Sequence, residues 1–337
     1  MTATLHQLNA GQEPSLDPIM ALTAEGMNAV NAVILERMQS KVAMIPELAG
    51  HLIAGGGKRM RPMLTLASAC LLDYPGTRHH KLAAAVEFIH TATLLHDDVV
   101  DGSDMRRGKR AANLIWGNPA SVLVGDFLFS RAFELMVEDG SLKVLRILSN
   151  ASAVIAEGEV DQLTAQRQVE TSEDHYLQII NAKTAQLFAA ACRISPVVAE
   201  AGEAAEEALE AYGRNLGIAF QLVDDAIDYA SDTATMGKGR GDDFRDGKVT
   251  LPVILAYARG SQEDRRFWTA AMLGERASDQ DLATATRLIH STGALDDTME
   301  RARFYARRAM DALALFPAGR ARTAMTQAAE FAVSRAY

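Results

Sequence analysis

The amino-acid sequence predicts an all-α fold in a single domain, and three observations carry that prediction. Apolar residues recur at helical spacing along most of the 337-residue chain. Alanine is abundant and proline occurs only 9 times, a composition that suits helix interiors. Few stretches show the β-branched alternation of strands. Hydrophobic residues at 48% against 23% charged supply a substantial core. No low-complexity linker or short internal repeat divides the chain, so residues 1–337 read as one domain, with 1–18 as a loosely ordered lead.

Element by element, helical periodicity runs from about Ile19 to Met44, with Val30, Val33, Ile34 and Met38 on one face. Gly55-Gly56-Gly57 stops a short helix, and Pro62 suits the start of the next, whose apolar body is Met63–Leu72. Lys81–Asp101 is a long apolar helix followed by a Gly/Ser/Arg loop, Gly102–Arg110. Ser121–Val137, Leu142–Arg167, Glu173–Ile194, Ala204–Tyr229 and Leu251–Ala258 continue the pattern, with Ser231–Lys248 as a loop rich in Gly, Asp and Lys. Asp281–Arg335 reads as two or three amphipathic helices.

Several function classes are excluded at this level. A net charge of −9 and a pI near 5.4 argue against nucleic acid as the main partner. Cys70 and Cys192 sit in apolar contexts without CxxC spacing, so they read as buried thiols of a reducing compartment, with no disulfide framework or zinc site. Met1–Gln12 lacks a basic region followed by an apolar one, so no secretory signal is visible. No uninterrupted apolar run of about 18 residues suggests a membrane span. The expected location is cytoplasmic.

Two clusters carry the chemistry. Asp97-Asp98-Val99-Val100-Asp101 and Asp224-Asp225-Ala226-Ile227-Asp228 share one spacing, and each ends a mostly apolar helical run. Residues i and i+4 share a helix face, which pairs Asp97 with Asp101 and Asp224 with Asp228. Carboxylates stacked in this way repel unless a cation lies between them. Two pairs facing each other across a cavity would hold Mg²⁺ through few protein ligands, leaving positions for phosphate oxygens. A single DDxxD is more often a solvated helix face; two copies in apolar surroundings reverse that reading. Basic residues accompany them: Lys58, Arg59 and Arg61 beside a glycine turn, Arg106, Arg107, Lys109 and Arg110 after the first cluster, then Lys183-Thr184, Gln221, Lys238 and Lys248. Glycine N–H groups and arginine forks suit a phosphate, although each group alone could be a solvated turn.

Together these stretches resemble the trans-isoprenyl diphosphate synthases over roughly residues 30–335. The resemblance lies in GGGKRMRP (55–62), EFIHTATLLHDDVVDGSDMRRGK (87–109), VGDFLFSRAF (124–133), AEGEVDQL (156–163), AKTAQLF (182–188), FQLVDDAIDY (220–229) and GKGRGDDFRDGKVTLP (237–252). Within the family the chain looks most like the long-chain synthases that make quinone side chains. The resemblance implies a helical bundle around a central cavity, a homodimer, and three Mg²⁺ per active site. It implies that Asp97, Asp98, Asp101, Asp224, Asp225, Asp228 and Lys183 are catalytic, with Asp97, Asp101, Asp224 and Asp228 as metal ligands. An allylic diphosphate would also meet Arg106, Lys183, Thr184, Gln221, Lys238 and Lys248. Isopentenyl diphosphate, the extender, would meet Lys58, Arg61, His90 and Arg107. No side chain is an obvious general base, and in the family view the released diphosphate takes the proton. His96 is read as structural.

Ala92 and Thr93 bear on product length. They precede Asp97 by five and four positions, about one helical turn or 6 Å deeper. Short-chain members of the family often carry Phe or Tyr there; two small residues keep a tunnel open, with Phe127, Phe133 or Met136 as candidate floor. The product implied has eight to ten isoprene units, and its hydrophobicity suggests peripheral membrane contact on release. The alternatives are a farnesyl or geranylgeranyl diphosphate synthase, a class I terpene cyclase, and a silent subunit of a heteromeric synthase. The last two would lack the Lys58/Arg61/His90 set or part of an aspartate motif.

Overall fold

Serine caps open four of the helices, at Ser141, Ser172, Ser261 and Ser278. The structure, a computed structural model, describes residues 14–53, 57–106, 108–230, 241–274 and 278–335; Gly55, Gly56, Arg107 and Lys238 lie outside the described residues. α1 (Asp17–Arg37) carries Pro18 in its first turn, where no N–H donor is needed, so the helix begins inside the lead placed at 1–18. The periodicity read through to Met44 is split by a loop before α2 (Met44–Ile53). α3 (Met60–Leu71) starts two residues ahead of Pro62, from Arg59 in a left-handed conformation (φ 44°). α4 (Arg78–Val100), α5 (Ala112–Trp116), α6 (Asn118–Asp139) and α7 (Leu142–Ala165) follow. Ser141 caps α7, its side chain accepting from the Val144 N–H.

The predicted helix Glu173–Ile194 is three pieces: α8 (Glu173–Ile180), a π-helical turn (Asn181–Ala185) and α9 (Gln186–Val198). Periodicity cannot show a π-turn, because one inserted residue leaves the apolar pattern on either side intact. α10 (Glu203–Ile227), α11 (Asp242–Arg245) and α12 (Leu251–Arg259) precede α13 (Gln262–Leu273) and α14 (Asp279–Ser291). Both α13 and α14 open with reciprocal capping boxes, Ser261/Asp264 and Ser278/Asp281. α15 (Ala294–Ala312) and α16 (Arg320–Ser334) complete the fold. Three elements go beyond the sequence reading. α5 is too short to show a period, α11 lies within the expected loop, and α13 buries only Trp268 and Met272. The loop Gly102–Arg110 also contains a small antiparallel ladder, Met105 opposite Arg110 and Arg106 opposite Lys109, with Gly108 at φ 74° in its turn.

α4 is the axial helix, packed against α1, α3, α6 and α9. One apolar cluster surrounds it, built from Phe88, Ile89 and Leu95 with Leu128, Leu148 and Leu187 of its neighbours. A second gathers Tyr229, Phe244, Trp268 and Ile289 about α10 and α12–α15, and a third joins Leu64, Phe188, Tyr212 and Met325 beneath α16. α1 is long and apolar enough, by length and composition, to cross a membrane. It nevertheless packs on α3, α4 and α16, burying Ile19, Thr23, Val30 and Ile34 against them, while most of the helix stays at the surface. The two DDxxD clusters end α4 and α10, with Asp101 and Asp228 as the C-cap residues. Helix C-termini carry negative dipole ends, so carboxylates there create an unusually strong demand for cations.

Candidate active site

The first and last aspartates of each cluster differ in setting from the middle one. Asp98 is fully buried: Arg106 Nε donates to its Oδ1 at 2.8 Å, and the Asn113 side-chain amide and the Ser103 N–H donate to its backbone carbonyl. Asp225 is buried as well, accepting from Gln221 Nε2 at 2.8 Å and from the Tyr176 hydroxyl. Burial, with the charge of Asp243, holds the Asp225 carboxyl well above the usual carboxylate range, and burial beside Asp225 raises the Tyr176 hydroxyl likewise. These middle aspartates tie the ends of α4 and α10 to the hairpin and to α8.

The outer aspartates meet cations or open N–H groups. Lys248 Nζ lies 3.1 Å from Asp101 and 3.2 Å from Asp246. Burial alone would lower the Lys248 ammonium, but Asp243, Asp101 and Asp246 outweigh it and hold it above its ordinary value. Asp228 accepts the backbone N–H groups of Asp242 and Asp243, both at 3.2 Å, at the start of α11. Asp224 accepts from Arg335 at 2.6 Å. Asp97 is pushed up to about 7 by burial, with Lys183 opposing and Glu159 and Asp101 reinforcing the shift.

The π-turn presents Lys183, whose Nζ bonds Glu159 of α7 at 2.7 Å, and Thr184, whose hydroxyl donates to Gln221 at 2.9 Å. Close backbone approach makes this possible. A Cβ on Gly158 would lie 2.7 Å from that of Ala182, and one on Gly217 would lie 2.6 Å from the Ala185 Cα. Glycine at these two positions lets α7 and α10 close on the π-turn from both sides.

A second basic group forms at the start of α3. Arg61 Nη1 donates to His90 Nε2 at 3.1 Å and its guanidinium stacks 4.4 Å from the Phe188 centroid. The Lys58 ammonium lies 4.5 Å from the Phe331 ring centre. Burial, then the nearby Arg335, lowers its pKa, while Asp224 opposes them. Lys58 therefore lies within electrostatic reach of Asp224. His96 packs against α6, its Nε2 3.2 Å from the Val122 carbonyl. Ala92 and Met136 are buried in the cluster around α4, with Phe127 and Phe133 partly buried against it. Thr93 donates its hydroxyl to the His90 carbonyl.

The donor set suits magnesium. Asp97, Asp101, Asp224 and Asp228 offer only hard carboxylate oxygens, a donor type that fits a hard divalent cation. Among the described residues no three His, Cys, Asp or Glu side chains form a ready-made cage. Mg²⁺ held by one or two carboxylates plus substrate phosphates needs none. The sequence reading did not single out Glu159, Tyr176, Asn113 or Arg335. Glu159 lies inside the AEGEVDQL stretch; nothing local to Arg335 marks it.

Fold and site define a divalent-metal-dependent prenyltransferase: the chain belongs to the polyprenyl synthetase family, whose model matches residues 42–289. It is 45% identical over 322 residues to octaprenyl diphosphate synthase of Escherichia coli (strain K12), covering 95% of this chain and 99% of that one. A polyprenyl synthase from Caulobacter crescentus CB15, crystallised with calcium and isoprenyl diphosphate, superposes with a TM-score of 0.93 at 55% identity, covering 97% and 99% of the two chains. A decaprenyl diphosphate synthase from Rhodobacter capsulatus gives 0.92 at 50% identity, covering 96% and 100%. The protein is a long-chain all-trans polyprenyl diphosphate synthase of the octaprenyl-to-decaprenyl type.

Proposed function

We propose that this enzyme uses Mg²⁺, three ions per site, and extends an allylic diphosphate with isopentenyl diphosphate to a chain that serves as a quinone side chain. The observations that support the reading are that Lys248 stands on Asp101, Lys183 acts on Asp97 and the N–H groups at the start of α11 hold Asp228, while Arg61 meets His90 and Lys58 lies within electrostatic reach of Asp224. Bound Mg²⁺ would neutralise charge building on the departing diphosphate.

Asp97, Asp101, Asp224 and Asp228 would hold the ions, while Arg106, Lys183, Thr184, Gln221, Lys238 and Lys248 would hold the allylic diphosphate. Lys58, Arg61, His90 and Arg107 would orient the extender, so that its double bond faces the allylic carbon as that carbon loses its leaving group. Positioning of the two diphosphates and fixed positive charge supply the catalysis. Asp98 and Asp225 act by holding the two helix ends in place. Ala92 and Thr93 would border the growing chain, with Phe133 and Met136 toward its far end.

Exposed Leu114, Ile115, Leu123 and Val137 on α5 and α6 support a homodimer through these helices. The length and apolarity of the product support peripheral membrane contact at release.

The test is product chromatography with Mg²⁺, labelled isopentenyl diphosphate and farnesyl or geranylgeranyl diphosphate as primer. A dominant forty- to fifty-carbon product is expected; a fifteen- or twenty-carbon one would overturn the open-tunnel reading.

A further inference from the structure

Arg335, the C-cap of α16, is built into the second aspartate cluster. Its side chain is 8% exposed. Nη1 donates to Asp224 Oδ1 at 2.6 Å, Nη2 to the Phe220 carbonyl at 2.7 Å and Nε to the Ala332 carbonyl at 3.1 Å. The guanidinium also stacks 3.8 Å from the Phe220 ring centre. Every face of the group is thus engaged, and its one ionic partner among these is a carboxylate at the site. The Asp224 side chain is 39% exposed.

Otherwise α16 is held mainly by small side chains: Ala324, Ala328, Ala329 and Ala332 bury little area, with Met325 as the single large buried residue. Phe331 and Val333, partly buried against the core, also hold its last turn, and Arg335 is what ties that turn to the second aspartate cluster.

We propose that Arg335 is a resident counter-ion of Asp224, displaced when a divalent cation binds there, so that the last turn of α16 senses occupancy of the second cluster. The proposal rests on the reading of Asp224 as a metal ligand. Two cations on one carboxylate compete, and the coupling is reciprocal: metal weakens the Arg335 contact as much as Arg335 weakens metal binding. Lys248 stands on Asp101 in a comparable way. Arg335 differs in anchoring a whole helix end, 111 residues away in sequence.

The experiment uses the full chain, MgCl₂ titrated in the presence of inorganic diphosphate, calorimetry, and amide hydrogen exchange over residues 325–335. In the wild type, exchange there should accelerate as Mg²⁺ binds. In Arg335→Gln it should be fast without metal, and the Mg²⁺ midpoint should fall about tenfold, the equivalent of one charge-assisted hydrogen bond. Arg335→Lys keeps the charge but cannot reach both acceptors, and should lie between; it also decides the matter if Arg335→Gln does not fold.

A wild-type midpoint in these variants, or wild-type exchange that ignores Mg²⁺, overturns the proposal. Asp224→Asn separates the two readings. If it titrates like the wild type, the metal assignment fails and the proposal with it. If it weakens Mg²⁺ while the Arg335 variants do not change the midpoint, the proposal alone fails.

Discussion

Asp98→Ala should unfold this protein more readily without touching a metal ligand. The side chains of Asp98 and Arg106 are 0% and 19% exposed, and the guanidinium directs two donors at one carboxylate oxygen. Removing one member of a buried pair costs about 3–5 kcal/mol, because the other charge is left without its partner. The low end applies here, since Arg106 is partly solvated and Asp98 Oδ2 has no hydrogen-bond partner to lose. With an unfolding entropy of about 2.1 cal/mol/K per residue, roughly 0.7 kcal/mol/K for the whole chain, about 3 kcal/mol lowers Tm by about 4 °C. Asp98→Asn keeps the volume and should fall about half as far. The assay is thermal unfolding in EDTA, repeated with Mg²⁺ and diphosphate. Both variants should retain the stabilisation that the ligands confer, because Asp97 and Asp101 are intact. An Asp98→Ala midpoint within about 1 °C of the wild type would show that the pair does not hold the helix end to the hairpin.

Three further outcomes follow from the same geometry. Ala92→Phe should shorten the product while leaving primer ionisation intact; unchanged product length by chromatography removes Ala92 from the tunnel. Gly217→Ala drives a methyl into the Ala185 backbone at 2.6 Å, so it should cost about 1–3 kcal/mol in denaturant unfolding and raise KM for the allylic substrate; wild-type values for both would refute the close-approach argument. In metal-free protein, burial pushes the Asp97 carboxyl up to about 7 from an ordinary 3.8. A raised acid penalises the fold fully above pH 7 and not at all below its unfolded value, so the contribution of Asp97 to stability should rise by about 3 kcal/mol from pH 8 to pH 5, against an opposing loss from His79, whose imidazole burial lowers to about 4. Asp97→Asn should remove that increment, and unfolding curves for the two proteins that stay parallel across this range would refute the burial of the charge.

Much of the site is legible in sequence because its groups are local. DDxxD places Asp97 with Asp101 and Asp224 with Asp228 by helical geometry alone, and the apolar runs before them predict that they end buried helices. The distinct settings of Asp98 and Asp225 are not legible, since they depend on Arg106 across a two-residue ladder and on Tyr176 from another helix. The break at Asn181–Ala185 was equally hidden, and it is what turns Lys183 toward Glu159 and Thr184 toward Gln221. Arg335 is the extreme case: its partner lies 111 residues away, and an arginine at a helix end is commonly a solvated one.

By itself the sequence determined the helical class, the repeated carboxylate spacing and the small residues at Ala92 and Thr93, because each follows from composition or from a period of 3.6 residues. Tertiary structure decided which carboxylates face cations and which serve as struts, and how far α7 and α10 could approach the π-turn. It also decided which distant arginine completes the second cluster. Those outcomes depend on how separate helices pack, and helix packing is set by side-chain contacts between elements far apart in the chain.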